Sequence, residues 1–273
     1  MNDTFPLRIY LMPVRVVFAV LIVFLAASAA MSQTAAGAAG ASASGYGRAY
    51  EAAGGSAAAK QVQKKIGSVL KGAVGGGSAA KPRNAPKGSA SRGRQMARPA
   101  PRTPSATTTY RPDPSIDVAS TLADSIGSNA QEKEILHALF VTTKTAFDEE
   151  VAKKGRRNSV SAAFTFFIAS ASMVYHNSPE PSDEAVDALW NALDASFQEM
   201  PEFAEMSDMD KQQISDTLVA LSGLMILGHP QYNPSLNAET QRGYREVAGN
   251  LIRTVLQTDP EKLRFGKDGL LVD

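Results

Sequence analysis

The sequence predicts an all-α protein, a single helical bundle of five to seven helices preceded by a signal peptide and a long disordered basic linker. Three observations carry this. Apolar residues recur at helical spacing from Ile116 to Asp273, and each run opens on a capping residue. No run alternates as a half-buried strand does. Ahead of that region, Ala, Gly, Ser and Pro make up more than half of Gln33 to Ser115, and an apolar run stands near the N-terminus. The expected organisation is therefore 1–32 signal peptide, 33–115 linker and 116–273 bundle domain.

The apolar run, Val16 to Ala30, reads VVFAVLIVFLAASAA after Arg15 and stops at Ser32 and Gln33. Fifteen residues at about 1.5 Å each span roughly 22 Å, short of the ~30 Å hydrocarbon core of a bilayer. A basic start, a short apolar region and Ala27-Ser28-Ala29 match a secretory signal cleaved near Ala29 to Ser32. An uncleaved N-terminal anchor is the alternative, and Met12 is an alternative start. The expectation is an exported protein, periplasmic or secreted, with no transmembrane span after signal cleavage. The chain has no Cys, which excludes disulfides, thiolate metal sites, cysteine nucleophiles and a lipoprotein anchor.

The formal net charge of +1 hides an opposition. Gln33 to Ser115 carries 13 bases and 2 acids, whereas Ile116 to Asp273 carries 13 bases and 24 acids. The linker has too little apolar surface to offset the roughly 1–2 kcal/mol per residue of backbone ordering entropy, so it is expected to be disordered. Its exposed cations, Arg92, Arg94, Arg98 and Arg102 among them, suit a polyanion bound by counterion release. Within it, Val62, Ile66, Val69, Leu70 and Val74 fall at helical spacing beside Lys60, Lys64, Lys65 and Lys71, a basic amphipathic pattern that suits an anionic membrane surface. Gly67 and Gly72 weaken that helix by about 1 kcal/mol each. A plain solubilising spacer is the blander reading. With few aromatics for base stacking, specific nucleic-acid recognition is not expected.

In the domain, a short first helix is expected over Ile116 to Ile126, stopping at Gly127. The second starts at Ser128 with Gln131 completing a capping box, and ends near Gly155. The third, Ser159 to His176, reads SVSAAFTFFIASASMVYH and is uncharged up to His176. A helix apolar nearly all round belongs at the centre, where its Ala and Ser residues let neighbours approach closely. Its Ser and Thr content argues against a membrane span. Ser182 with Asp183 and Glu184 opens the fourth helix, which Pro201 ends. Ser207 opens the fifth, Asn237 caps the sixth, and Asp259-Pro260 begins a last short helix through Leu263.

RNSVSAAFTFFIASASMVYH, then KQQISDTLVALSGLMIL, then TDPEKLRFGKDGL, closing in D-P-x-x-L/V-R-x-x-x-x-G-L, resembles an uncharacterised bacterial family of exported helical proteins, a domain of unknown function, over roughly Ser128 to Leu270. The resemblance implies a helical, periplasmic or secreted domain and carries no catalytic residues.

Chemistry is sparse. His137, His176 and His229 stand on three elements without a metal-ligand spacing. Ser78-Ala79-Ala80-Lys81 matches S-x-x-K but lies in the linker without its companion motifs, and there is no phosphate loop or G-x-S-x-G. No metal or cofactor is expected. Met200, Met206 and Met209 read as packing before they read as soft metal ligands. The distinctive feature is a run of acids: Glu180, Asp183, Glu184, Asp187, Asp194, Glu199, Glu202, Glu205, Asp208, Asp210 and Asp216, against Lys211 alone. Several favour helix N-termini; together they form a candidate acidic interaction surface. The functional expectation is a non-catalytic, exported helical interaction domain tethered by a basic linker, its partner an unidentified protein or an anionic envelope component. The alternative is an envelope hydrolase whose carboxylates converge in a cleft of the bundle. A further expectation is that the basic linker docks on the acidic helices.

Overall fold

The computed structural model describes residues 104–266 and 269–272. Seven α-helices are found there: α1 Val118–Ile126, α2 Ala130–Lys153, α3 Val160–His176, α4 Asp183–Gln198, α5 Pro201–Glu205, α6 Asp208–Ile226 and α7 Ala238–Leu256. A 3-10 turn, Pro260–Lys262, leads into an antiparallel pair, β1 Leu263–Gly266 and β2 Gly269–Val272. The mainly all-α reading stands.

Local chemistry fixes the helix starts. The side chains of Asp117, Asn129, Ser159, Ser182, Ser207 and Asn237 each accept a hydrogen bond from a first-turn backbone N–H, satisfying donors that have no partner inside the helix. Stops are equally local: Asn177 after α3 and Gln257 after α7 adopt left-handed conformations that turn the chain out of the helix.

Packing follows from which helices are apolar all round. α3 buries thirteen of its seventeen residues and touches α6, α7, α4 and β1, so it is the axis of the core. α6 is its main neighbour and in turn supports α2. That second contact requires Gly223, because a Cβ there would lie 2.2 Å from Oγ1 of Thr143; a mid-helix glycine costs about 1 kcal/mol of propensity, and close helix approach repays it. On α4, Phe197 packs edge-on against Phe164 of α3 at 5.3 Å and stacks on Phe203 of α5 at 4.4 Å. No described helix is long and apolar enough to cross a membrane.

Four expectations need correction. Leu263 to Val272 is a hairpin where no strand was foreseen; pairing Gly266 with Gly269 leaves a two-residue connection, and Gly269 takes a φ of +127° that side chains resist. The hairpin covers α3 and α4, burying Leu263 and Leu270. Second, α2 is capped one residue later than expected, by Asn129, with Glu132 reaching back to the Ser128 N–H. Third, Pro201 opens α5 at its first position, while α4 has already ended at Gln198.

Fourth, residues 104–115 belong to the folded body, although their composition placed them in the linker. Thr109 bridges Ser159, the Val160 N–H donates to the Thr108 carbonyl, and the Tyr110 N–H donates to the Asn158 carbonyl. Further on, the Asp113 backbone exchanges two hydrogen bonds with the Gln212 side chain, at 2.7 and 3.1 Å. This strap lies across the start of α3 and reaches α6. Lys60 to Arg102, with the basic amphipathic pattern, and the 1–32 signal lie outside the described residues.

Candidate functional site

The acids singled out in the sequence do not share one surface. Glu184, Glu199, Glu205 and Asp208 are exposed, and Glu202 and Asp210 are half-buried. Asp183 and Glu184, Glu202, and Asp208 and Asp210 lie in the first turns of α4, α5 and α6 respectively, where they favour the helix dipole. Ser207 donates to Asp210 within the α6 cap. Two of the acids leave the surface. Asp216 is shielded on α6 next to Lys144, which bridges it at 3.5 Å and also pairs with Asp148; burial raises its carboxyl pKa, with Lys144 opposing.

Asp194 is the larger surprise, at 3 % exposure. Its Oδ1 accepts from Thr108 at 2.5 Å and from Ser161 at 3.0 Å, and its Oδ2 from Gln198 at 2.8 Å. The carboxylate is thus an internal fastener joining the strap, α3 and α4. Its position was readable: on a helix, Asp194 follows Trp190 by four and precedes Phe197 by three, which places it on the apolar stripe.

Glu180, Asp183 and Asp187 do come together, at the mouth of a cavity of about 160 Å³. Its walls come from α2 (Phe147, Val151), α3 (Phe166, Ala169, Met173, with Thr165 and Ser170), α4 (Val186, Trp190) and Ile226 at the end of α6. The bases opposite them arrive through the turn after α2. Gly155 and Asn158 both take positive φ there, and the reversal between them lays Arg156 over Trp190, its Cζ 3.9 Å from the ring centroid. Arg156 is 7 % exposed; it donates to Asp187 at 2.8 Å, and its Nε has no hydrogen-bond partner. Lys154 bridges Asp183 at 3.3 Å and Asp187 at 3.6 Å.

On the far side of the mouth, Tyr232 donates to Glu180 at 3.2 Å. Burial raises the Glu180 carboxyl pKa, with the Tyr232 hydrogen bond opposing; Tyr232 is itself pushed up by burial and by Glu180. Trp190 is fully buried with its Nε1 unpartnered, and it is the single tryptophan of the chain. The site is therefore an apolar hole with a charged rim. By size it matches the ~150 Å³ apolar cavities that accept a benzene-sized group.

The remaining candidates fall elsewhere. His176 lies against the Pro260 and Leu263 carbonyls at 3.1 and 2.8 Å, holding the hairpin. His229 is buried, with Nδ1 accepting from the Gln231 N–H. Met200 and Met206 are buried and Met209 is exposed. Sequence reasoning missed Arg156, Trp190 and Tyr232; the signal for the first was Arg-Arg-Asn directly before an uncharged helix, a place where a cation has to meet the core.

The model of a family of unknown function (DUF6683) matches residues 12–273, well beyond the Ser128 to Leu270 expected. No curated protein and no solved structure matches the chain.

Proposed function

We propose that this chain, which belongs to the DUF6683 family of unknown function, is an exported, non-catalytic interaction domain that receives one apolar group in the cavity between α2, α3 and α4. The observation that carries the reading is the lining: aliphatic and aromatic side chains make up most of the walls, Thr165 and Ser170 add two buried hydroxyl residues, and the charged side chains gather at the rim. Such sites bind by burial and use a few rim contacts for orientation. Arg156 and Lys154 are already held by Asp187 and Asp183, so the rim is preformed. The apolar run ahead of Ser32 supports export to a periplasmic or secreted location, and the cations between Lys60 and Arg102 support a tether attracted to anionic envelope components.

A hydrolase has a weaker claim. Glu180 has the raised pKa of a proton donor, but Asp183 and Asp187, the carboxylates nearest in the ion-pair network, are engaged by bases instead of facing it as a second catalytic group.

The test is a toluene titration of the full chain followed by Trp190 fluorescence. A saturable change is expected, lost in Ala169→Phe, which fills the cavity; Ala169→Leu, with a smaller effect, guards against misfolding of the larger variant. No saturable change in the parent, or equal binding by both variants, would overturn the proposal.

A further inference from the structure

The rim carries more negative than positive charge. Glu150, Glu180 and Asp183 line the mouth with Lys154 and Arg156, Asp187 stands beside them and Glu184 is exposed one residue after Asp183, so that even with Lys153 paired to Glu150 at 3.1 Å there are five acids to three bases. An occupant that brings cations alongside an apolar group fits this rim best. The chain holds such a segment close by. Between Gly75 and Thr103, Met96 is the sole large apolar residue, set in Arg92-Gly93-Arg94-Gln95-Met96-Ala97-Arg98.

We propose that Met96 of this chain occupies its own cavity, with Arg94 and Arg98 on the acidic rim. This rests on the cavity being a binding site, as proposed above. In an extended segment residues i, i+2 and i+4 face the same way, about 6.6 Å apart, so Arg94, Met96 and Arg98 present one apolar group between two cations. A thioether chain adapts to an irregular hole and packs well against aromatic rings, here Trp190 and Phe166.

The strap decides whether the segment reaches. Thr108 is fastened to Asp194, one helical turn, about 6 Å, from Trp190. The strap is already folded from Ser105, where the Thr108 and Thr109 N–H groups turn back onto the Ser105 carbonyl, so eight residues separate Met96 from its start at Pro104, and a chain of that length can span up to roughly 28 Å. That reach exceeds the need. A tether this short also gives an effective concentration on the order of millimolar, enough to hold a contact too weak to persist between separate molecules. The basic segment and the domain would thus mask each other until a partner with a better apolar group displaces Met96.

Methionine-methyl NMR of the full chain tests this, with the Met96 signal assigned by Met96→Leu. The expected result is a Met96 methyl shifted by ring currents, with cross-peaks to the Trp190 indole, returning to the free-chain position at high salt or in Arg94→Glu/Arg98→Glu. Toluene, competing for the same hole, should bind Met96→Ser about 2- to 10-fold more tightly than the parent, as expected when the occupant fills half to nine-tenths of the sites. A Met96 methyl at the free-chain position, with equal toluene binding by parent and variant, overturns the inference and leaves the cavity reading intact. Failure of both proteins to bind toluene overturns both readings. Cross-peaks that vanish on dilution also overturn it, assigning the occupant to a second copy of the chain.

Discussion

Replacing Asp194 separates two ways in which a buried carboxylate can matter. In the parent it accepts three hydrogen bonds, from Thr108, Ser161 and Gln198. Net contributions of hydrogen bonds to a charged group are about 1.5–3 kcal/mol each. Asp194→Ala forfeits all three, but Thr108 keeps a fallback acceptor in the Ser105 carbonyl at 3.2 Å, and removal of a buried charge returns part of its desolvation cost. The expected loss is therefore about 3–5 kcal/mol. Asp194→Asn keeps an oxygen facing both hydroxyls, and the Gln198 amide can turn to present its own oxygen, so its expected loss is about 1 kcal/mol. Urea unfolding followed by circular dichroism reads this directly. With a slope of about 2 kcal/mol per molar, the Ala midpoint should fall by roughly 1.5–2.5 M and the Asn midpoint by about 0.5 M. Since Thr108 belongs to the strap, the Tyr110 and Val160 amide protons, which bond across it, should also exchange faster in Asp194→Ala. An Ala variant within 1 kcal/mol of the parent, or an Asn variant as damaged as Ala, would refute the reasoning.

Three other outcomes are expected. Gly223→Ala should lose about 1–3 kcal/mol despite better helix propensity, because the new methyl meets Thr143; Thr143→Ala in the same chain should restore much of it, and a double-mutant cycle in urea measures the coupling. Arg156→Lys, which keeps the charge but loses the planar face over Trp190, should cost about 1–2 kcal/mol and shift the Trp190 emission spectrum. Burial depresses His229 below its ordinary value of 6.5, so as pH falls below 6.5 the unfolded chain takes up the proton first. Stability is lost through that window down to the folded-state pKa, and the urea midpoint of His229→Asn should fall less steeply across it.

The parts of the fold legible in the sequence were those decided within a few residues. Ser159, Ser182, Ser207, Asn237 and Asp259 cap as expected because a cap is a bond to a backbone N–H two or three residues on. The hairpin was hard to see because each strand has four residues, too few for alternation to register, although buried Leu263 beside exposed Arg264 shows the pattern. The strap was invisible for a different reason. Its anchors, Thr108, Tyr110 and Asp113, act through partners 48 to 99 residues away, and composition does not report partners. The acidic run was legible as charge but not as place: pairing with Lys154 and Arg156 and burial of Asp194 and Asp216 depend on how helices distant in sequence meet.

The strap also fixes how the domain would respond to being pulled. A pull on the chain ahead of the strap would be delivered at Thr108 to Asp113, and the contacts it would meet are spread along the strap: backbone bonds to Asn158 and Val160, the Asp194 fastener, and the paired amide of Gln212. Tension entering there passes into α3 and α4 at the cavity wall before it reaches α7 or the hairpin. The stretch of chain that leads into the domain is therefore placed to make the cavity sensitive to mechanical strain.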